Sequence, residues 1–276
     1  MSSPGGADNL LVAARSALLD ALEALGAHRD SVIVIGAQAI YLRTTDAPIA
    51  VAEATKDSDI AIDPRNLADA PLIEEAMQRA GFYLDPHKNQ PGAWLNAAEV
   101  PVDLMVPAGD GGSSARGARI PSHNKRVARR AHGLEATIVD NKWMIIRSLN
   151  ETDGRLYEVR VAGLASLLVA KLHKIGERAA DAPARLVDKD AHDIYRILVF
   201  EPTSSLAADF RQLFADDLAE QATVEAVEML RIHFATGPEA VGSEMAGRAE
   251  AGVGEPETVA LQTSILASDR IEAIET

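Results

Sequence analysis

Cysteine is absent from the 276 residues. That excludes disulfides, thiol nucleophiles and zinc–thiolate sites, and it fits a reducing cytoplasm. Also missing is any run near the roughly 20 uninterrupted apolar residues that a membrane-spanning helix needs. The N-terminal segment lacks the shape of a signal peptide, because Arg15, Asp20 and Glu23 interrupt its apolar positions early. Positive charge is in short supply: 27 Lys+Arg stand against 41 Asp+Glu, a formal net charge of −14. Such a chain repels polyanions at long range, which argues against indiscriminate nucleic-acid binding but leaves room for a local basic patch. Hydrophobic residues make up 47% of the chain, enough for a real core in one large domain or two small ones. No internal repeat is visible. The expectation is a soluble cytoplasmic protein with no membrane partner.

Periodicity supplies the elements. Leu10, Leu11, Ala14, Leu18, Leu22 and Leu25 recur at helical spacing from Asp8 to Ala27, after a frayed tail over 1–6; this helix is expected to lie across a sheet. Val32–Ile35 reads as a buried strand ended by Gly36, Ala37–Arg43 as a helix, Thr44–Thr55 as a loop and Asp59–Asp63 as a second strand. Asn66–Ala80 reads as a helix, Phe82–Ala98 as a hairpin and Val100–Val106 as a strand. Ala136–Val139, Trp143–Ile146 and Leu156–Val161 are candidate strands. Helices are expected over Ala162–Ala179 and Val187–Phe200, then two more between Ser204 and Phe234, a loop over 236–256 and a last helix over Glu257–Ile274. The fold class is α+β: a mixed β-sheet flanked by helices in a catalytic domain over 1–161, followed by a C-terminal helical region over 162–276.

Three carboxylates carry the chemistry. Asp57 and Asp59 stand one residue apart at the mouth of a strand, so they point to the same side of it. Paired oxygen ligands of that kind suit Mg²⁺. Asp103 lies inside an apolar strand, Val100 to Val106, where a lone carboxylate costs several kcal/mol to bury unless it is paired or binds metal; the alternative is an exposed strand edge. Together the three form a candidate oxygen cage for one or two Mg²⁺ ions. The turn at Gly36-Ala37, between strand and helix, lets backbone N–H groups approach a phosphate, and the helix dipole favours the anion. Against the acidic whole, the stretch from Gly111 to Leu134 carries Arg116, Arg119, Lys125, Arg126, Arg129, Arg130, His123 and His132 and no acid. It reads as a contact for triphosphate or RNA, or as a solvated face. Lys171 sits within the apolar stripe of its helix, where a lysine snorkels, pairs with a carboxylate or faces a site.

Residues 28–200 resemble the polymerase-β type nucleotidyltransferase superfamily, and more narrowly the AbiEii-like enzymes that include the MenT toxins of type IV toxin–antitoxin systems. The resemblance rests on VIVIGAQAIYLRT, on ATKDSDIAI, on VDLMVP and on KLHKIGER followed by DKDAHDIYRIL. It implies Mg²⁺-dependent transfer of a nucleoside monophosphate from an NTP to an acceptor hydroxyl with release of pyrophosphate. In the MenT group the acceptor is the tRNA 3′ end. Carried onto this chain, Asp57, Asp59 and Asp103 become metal ligands and catalytic residues, with Asp103 also activating the acceptor. Lys171 steadies phosphate charge with Asp193, or Asp190, as its partner; an interhelical salt bridge is the alternative for that set. Gly36, Ala37, Lys56 and Arg178 become nucleotide-binding residues. Where many members carry Gly-Ser or Gly-Gly at the turn, Ala37 offers only its backbone N–H.

Three hypotheses follow: a nucleotidyltransferase acting on tRNA or other RNA through 116–130, one acting on a small molecule or protein, and a binding protein that keeps the fold without turnover. A separate antitoxin chain is an expected partner of the first.

Overall fold

The computed structural model describes residues 4–45, 55–88, 90–109, 117, 118, 120 and 122–276. In chain order the elements are α1 (Pro4–Ala24), β1 (Val32–Ile35), α2 (Gly36–Arg43), β2 (Ser58–Ile62), α3 (Ile73–Arg79), β3 (Tyr83–Leu84), β4 (Ala93–Leu95), β5 (Pro101–Pro107) and β6 (Arg129–Ala131). There follow α4 (Glu135–Val139), β7 (Asn141–Arg147), β8 (Leu156–Ala162), α5 (Leu164–Asp181), α6 (Asp188–Phe200), α7 (Thr203–Phe214), α8 (Glu220–Leu230), α9 (Val241–Ala249) and α10 (Pro256–Glu275). The chain divides into two units. One comprises Met1–Ala39, Ala54–Ala131 and Asn141–Ala162; the other comprises Ile40–Glu53, His132–Asp140 and Gly163–Thr276. No helix among the described residues is long and apolar enough to cross a membrane.

The first unit is built on a mixed sheet in the order β3-β4-β5-β2-β1-β8-β7, with β6 beside β5. Its centre pairs β1 antiparallel to β2, β2 parallel to β5 and β1 parallel to β8. Val32–Ile35 is fully buried, as a central strand of continuous apolar residues requires. Helix α1 crosses one face of this sheet, packing on β2, β5 and β8. The face it covers is marked by Ser58, whose hydroxyl donates to the Ala14 carbonyl at 2.9 Å. Asp59, one residue on, therefore projects from the opposite face.

The second unit is helical. Helix α5 packs on α4, α6 and α8, while α10 packs on α7 and α9. Leu168, Leu172, Ile194, Leu198, Phe210, Leu230 and Phe234 fill its core. Helix α5 starts at Gly163, whose missing side chain leaves space for the carboxylate of Asp140. That carboxylate accepts the Ser166 N–H at 3.1 Å, satisfying one of the four donors a helix start leaves open.

The α+β class and most elements match expectation, with five differences. Ala136–Val139 is helix rather than strand, and the Leu134 carbonyl that opens its turn accepts the Thr137 hydroxyl. Helix α3 covers only Ile73–Arg79 of the Asn66–Ala80 stretch. Asp63 draws the Arg65 N–H and the Asn66 amide into a turn, and Pro71 bars Ala70 from helical geometry. Within 236–256, read as loop, lies α9. Its Gly242 and Gly247 mark close approach to Phe234 and to Pro256, not flexibility. Helix α1 starts at Pro4, within the expected tail, and stops at Ala24, with a 3₁₀ turn over Gly26–Ser31 replacing its expected end. His123, grouped with the basic segment, is buried: its Nδ1 accepts the Ile73 N–H at 3.2 Å. Of the expected Thr44–Thr55 loop, 46–54 lie outside the described residues, as do Arg116 and Arg119.

Replacing Asp140 by Ala removes the carboxylate at the start of α5. Thermal denaturation should show a loss of about 1 kcal/mol, and a value within error of the parent would deny Asp140 a capping role.

Candidate active site

Strand pairing brings two of the three expected carboxylates side by side. In the parallel β2–β5 ladder Asp59 stands in register with Asp103, so both leave the sheet on the same face. Like charges placed directly opposite across a ladder repel. Each is held by its surroundings. Asp59 lies against Gly36, whose φ of 69° is the left-handed region; a Cβ there would collide with the Asp59 carboxylate. Asp103 Oδ2 accepts the Arg129 guanidinium at 3.2 Å, and its Oδ1 is buried with no hydrogen-bond partner. Arg129 Nε is also buried and unpartnered. An acceptor and a donor, both desolvated and both unsatisfied, thus flank the same ion pair, which costs a stable fold free energy.

Asp57, just before β2, is exposed, and its Oδ1 accepts the Thr55 hydroxyl at 2.7 Å. Lys56 beside it is also exposed. Among the described residues no three His, Asp or Glu side chains stand close enough to hold a metal between them. The expected cage is here an in-register pair, Asp59 and Asp103, with Asp57 turned toward Thr55. Mg²⁺ is commonly held by one or two carboxylates plus substrate phosphates rather than by an all-protein cage. The unpartnered Asp103 oxygen beside a second carboxylate fits such an ion.

Beneath the pair runs a polar relay that sequence reasoning did not find. Ser58, between Asp57 and Asp59, accepts Gln38 Nε2 at 2.6 Å, and Gln38 Oε1 accepts Arg15 Nε at 2.7 Å. The relay ties α1, α2 and β2 together behind the carboxylates. Burial lowers the Arg15 pKa to about 10. Its signal in the sequence was the placement of Arg15 and Gln38 in otherwise apolar helical stripes. Arg129 was read only as one of a basic segment that contacts triphosphate or RNA or forms a solvated face; the β5–β6 pairing that carries it toward Asp103 has no local signature. Ala37, at the turn, is buried.

In the second unit Lys171 Nζ donates to Asp190 Oδ1 and to Asp193 Oδ2, both at 2.7 Å. Lys174 and Arg178 also reach Asp190, at 2.8 and 3.0 Å, and Lys189 reaches Asp193 at 3.3 Å. Four cations thus surround two carboxylates across α5 and α6. Burial opposes the Lys171 charge, but the two aspartates outweigh it and hold its pKa well above the lysine range. Burial likewise opposes the charge of Asp190 and Asp193, and Lys171 and its neighbours hold both well below the carboxylate range. This is an interhelical ion pair, and it also gathers Lys171, Asp193 and Arg178, which the sequence had singled out.

Two predictions follow from these arrangements. Gly36→Ala forces a Cβ into the left-handed region and against Asp59. Chemical denaturation should report a loss of at least about 1–2 kcal/mol, and parental stability would mean that Asp59 does not depend on this turn. The ion pair has a pH window of known sign. The depressed aspartates contribute above about pH 4 and lose that contribution as pH falls, whereas raised Lys171 contributes below about pH 10 and loses it as pH rises. Thermal melts should therefore be flat near neutrality and fall on the acid side, and Asp193→Asn should cost roughly 3 kcal/mol and weaken the acid dependence.

The site can thus seat a hard cation on Asp59 and Asp103, an anion beside Arg129, and a phosphate at the Gly36 turn. Comparison with known proteins bears on the same stretch. No curated protein and no solved structure matches the chain. A family model described as nucleotidyltransferase matches residues 14–199, more than half of the sequence, and spans both Asp59 and Asp103. The chain belongs to that nucleotidyltransferase family.

Proposed function

We propose that the protein transfers a nucleoside monophosphate from an NTP to an acceptor hydroxyl, and that it needs Mg²⁺ to do so. The observation that carries this reading is the in-register pair Asp59 and Asp103, with a desolvated oxygen on Asp103 that nothing among the described residues satisfies. In this reading Asp59 and Asp103 hold the cation, and Asp57 joins them only by releasing the Thr55 hydroxyl. Bound there, Mg²⁺ would offset the charge of the triphosphate and of the two carboxylates. The acceptor oxygen forms a bond to the α-phosphorus while the bond to the β-phosphate oxygen breaks, releasing pyrophosphate. Asp103 takes the acceptor proton. Arg129, already oriented by Asp103, offers its unpartnered Nε–H to phosphate oxygens, and the backbone N–H of Ala37 offers one more donor. Lys56 is a candidate for the outer phosphate. In the second unit Lys174 and Arg178, which share Asp190, are cations suited to an anionic ligand, with Lys171 and Asp193 fixing their helices.

For the acceptor we favour an RNA end, as in the AbiEii-like and MenT-like enzymes whose motifs this chain shares, with a separate antitoxin as the corresponding partner. Lys125 and Arg126 are exposed and available to it. A small molecule or protein acceptor is the alternative.

The test is direct. With Mg²⁺, one of four labelled NTPs should label total RNA, and calorimetry should detect Mg²⁺-dependent NTP binding. Asp59→Asn should reduce labelling at least about 100-fold while thermal stability is kept, because several kcal/mol of charge stabilisation is lost. NTP binding without labelling of RNA points to the other acceptor classes; absence of Mg²⁺-dependent NTP binding overturns the proposal.

A further inference from the structure

The face of the sheet that carries Asp59 and Asp103 continues outward into an exposed aromatic and basic surface. Its course follows from strand register. Asp59 pairs with Ile35 on β1; Ile33, two residues earlier and on the same side, pairs with Arg160 on β8; Arg160 pairs with Trp143 on β7. Trp143, Ile145 and Arg147 therefore share the carboxylate face, opposite the one that α1 covers. Three strand spacings and a two-residue offset place Trp143 roughly 15 Å from Asp59.

This surface is unusual for a chain of net charge −14. Trp143 is 41% exposed, with Ile145 at 54% and Leu156 at 50%, on the outermost strands of the sheet. Guanidiniums are held against the indole: Arg29 lies 4.9 Å and Arg160 5.4 Å from the ring centroid. Arg29 is paired with Glu158 at 3.1 Å. Among the described residues, Arg160 and Arg147 have no carboxylate within ion-pair distance. A cation seated on an aromatic ring is desolvated on one side while keeping its charge, so it is ready to meet an anion.

We propose that the β7–β8 hairpin is the docking surface for a single-stranded nucleic acid, with a base stacked at Trp143 and phosphates on Arg160 and Arg147. Charge complementarity selects a polyanion. The aromatic ring selects one whose units carry π-faces. Ile33 and Ile35, which lie between Asp59 and Trp143 on this side, are buried, so the docking surface is confined to β7 and β8. The inference goes beyond the proposed chemistry, because the binding step needs neither NTP nor Mg²⁺. It also differs from a contact through 116–130, since no residue of that segment takes part.

Fluorescence anisotropy with a 12-nucleotide single-stranded RNA, in the full chain without nucleotide, tests it. Of the two tryptophans, Trp94 is buried with its indole N–H on the Val127 carbonyl, so quenching on titration reports Trp143. The expected result is salt-sensitive binding with quenching. Trp143→Ala should weaken binding about tenfold or more, Trp143→Phe should keep most of it, and Arg160→Glu with Arg147→Glu should abolish it. Circular dichroism of each variant confirms folding. Unchanged affinity in Trp143→Ala, or binding equally lost in Phe and Ala variants, overturns the proposal. So does tighter binding and stronger quenching by an acidic peptide than by RNA, which would make the hairpin a protein-docking edge. RNA binding that persists while Mg²⁺-dependent NTP binding fails would sink the transferase reading and leave this one standing.

Discussion

Two carboxylates fixed in register on neighbouring parallel strands are the constraint around which the first unit is arranged. Asp59 and Asp103 repel each other, and a one-residue slip of β2 against β5 would send them to opposite faces. The register is held from behind. Ser58 is pinned to α1 through the Ala14 carbonyl and to α2 through Gln38, so β2 cannot slide without breaking buried hydrogen bonds. It is held from in front by Gly36, where only a residue without a Cβ leaves room for the Asp59 carboxylate. Arg129 partly relieves the repulsion, and one oxygen of Asp103 is left desolvated. Replacing one carboxylate by an apolar residue would remove that cost, so its retention supports the proposed site.

The second unit handles buried charge in the opposite way. Lys171, Asp190 and Asp193 are all buried, yet every one is paired, and the surrounding cations outnumber the acids. Burial alone would neutralise these groups; their mutual attraction keeps all of them charged. The contrast is informative. Satisfied charges lock α5 to α6, whereas an oxygen of Asp103 is left unsatisfied among the described residues.

The sheet also extends the site in a direction that the motifs do not reveal. Sequence motifs cluster at β1, β2 and β5, near the carboxylates. Trp143, Arg160 and Arg29 come from three separate segments, and only the order β2-β1-β8-β7 places them along one face. Their chemistry differs from that of the motif residues, being aromatic and cationic where the centre is acidic.

By itself the sequence determined the local events. Periodicities of 2 and 3.6 gave most of the strands and helices, Gly36 ended β1, the one-residue spacing at a strand mouth singled out Asp57 and Asp59, and its apolar strand singled out Asp103. Lys171 was visible as a charge inside an apolar stripe. Local pattern failed where distant partners decide. Ala136–Val139 is β-branched at three positions and reads as strand, yet the turn opening at Leu134 makes it a helix. The glycines of 236–256 read as loop, yet Gly242 and Gly247 serve close helix packing. Arg129 read only as one of a basic segment until the pairing of β6 with β5 turned it toward Asp103. Which acids meet, which cation joins them and which face stays open are consequences of strand order and register. Those are set by contacts tens of residues apart, and no window of local sequence contains them.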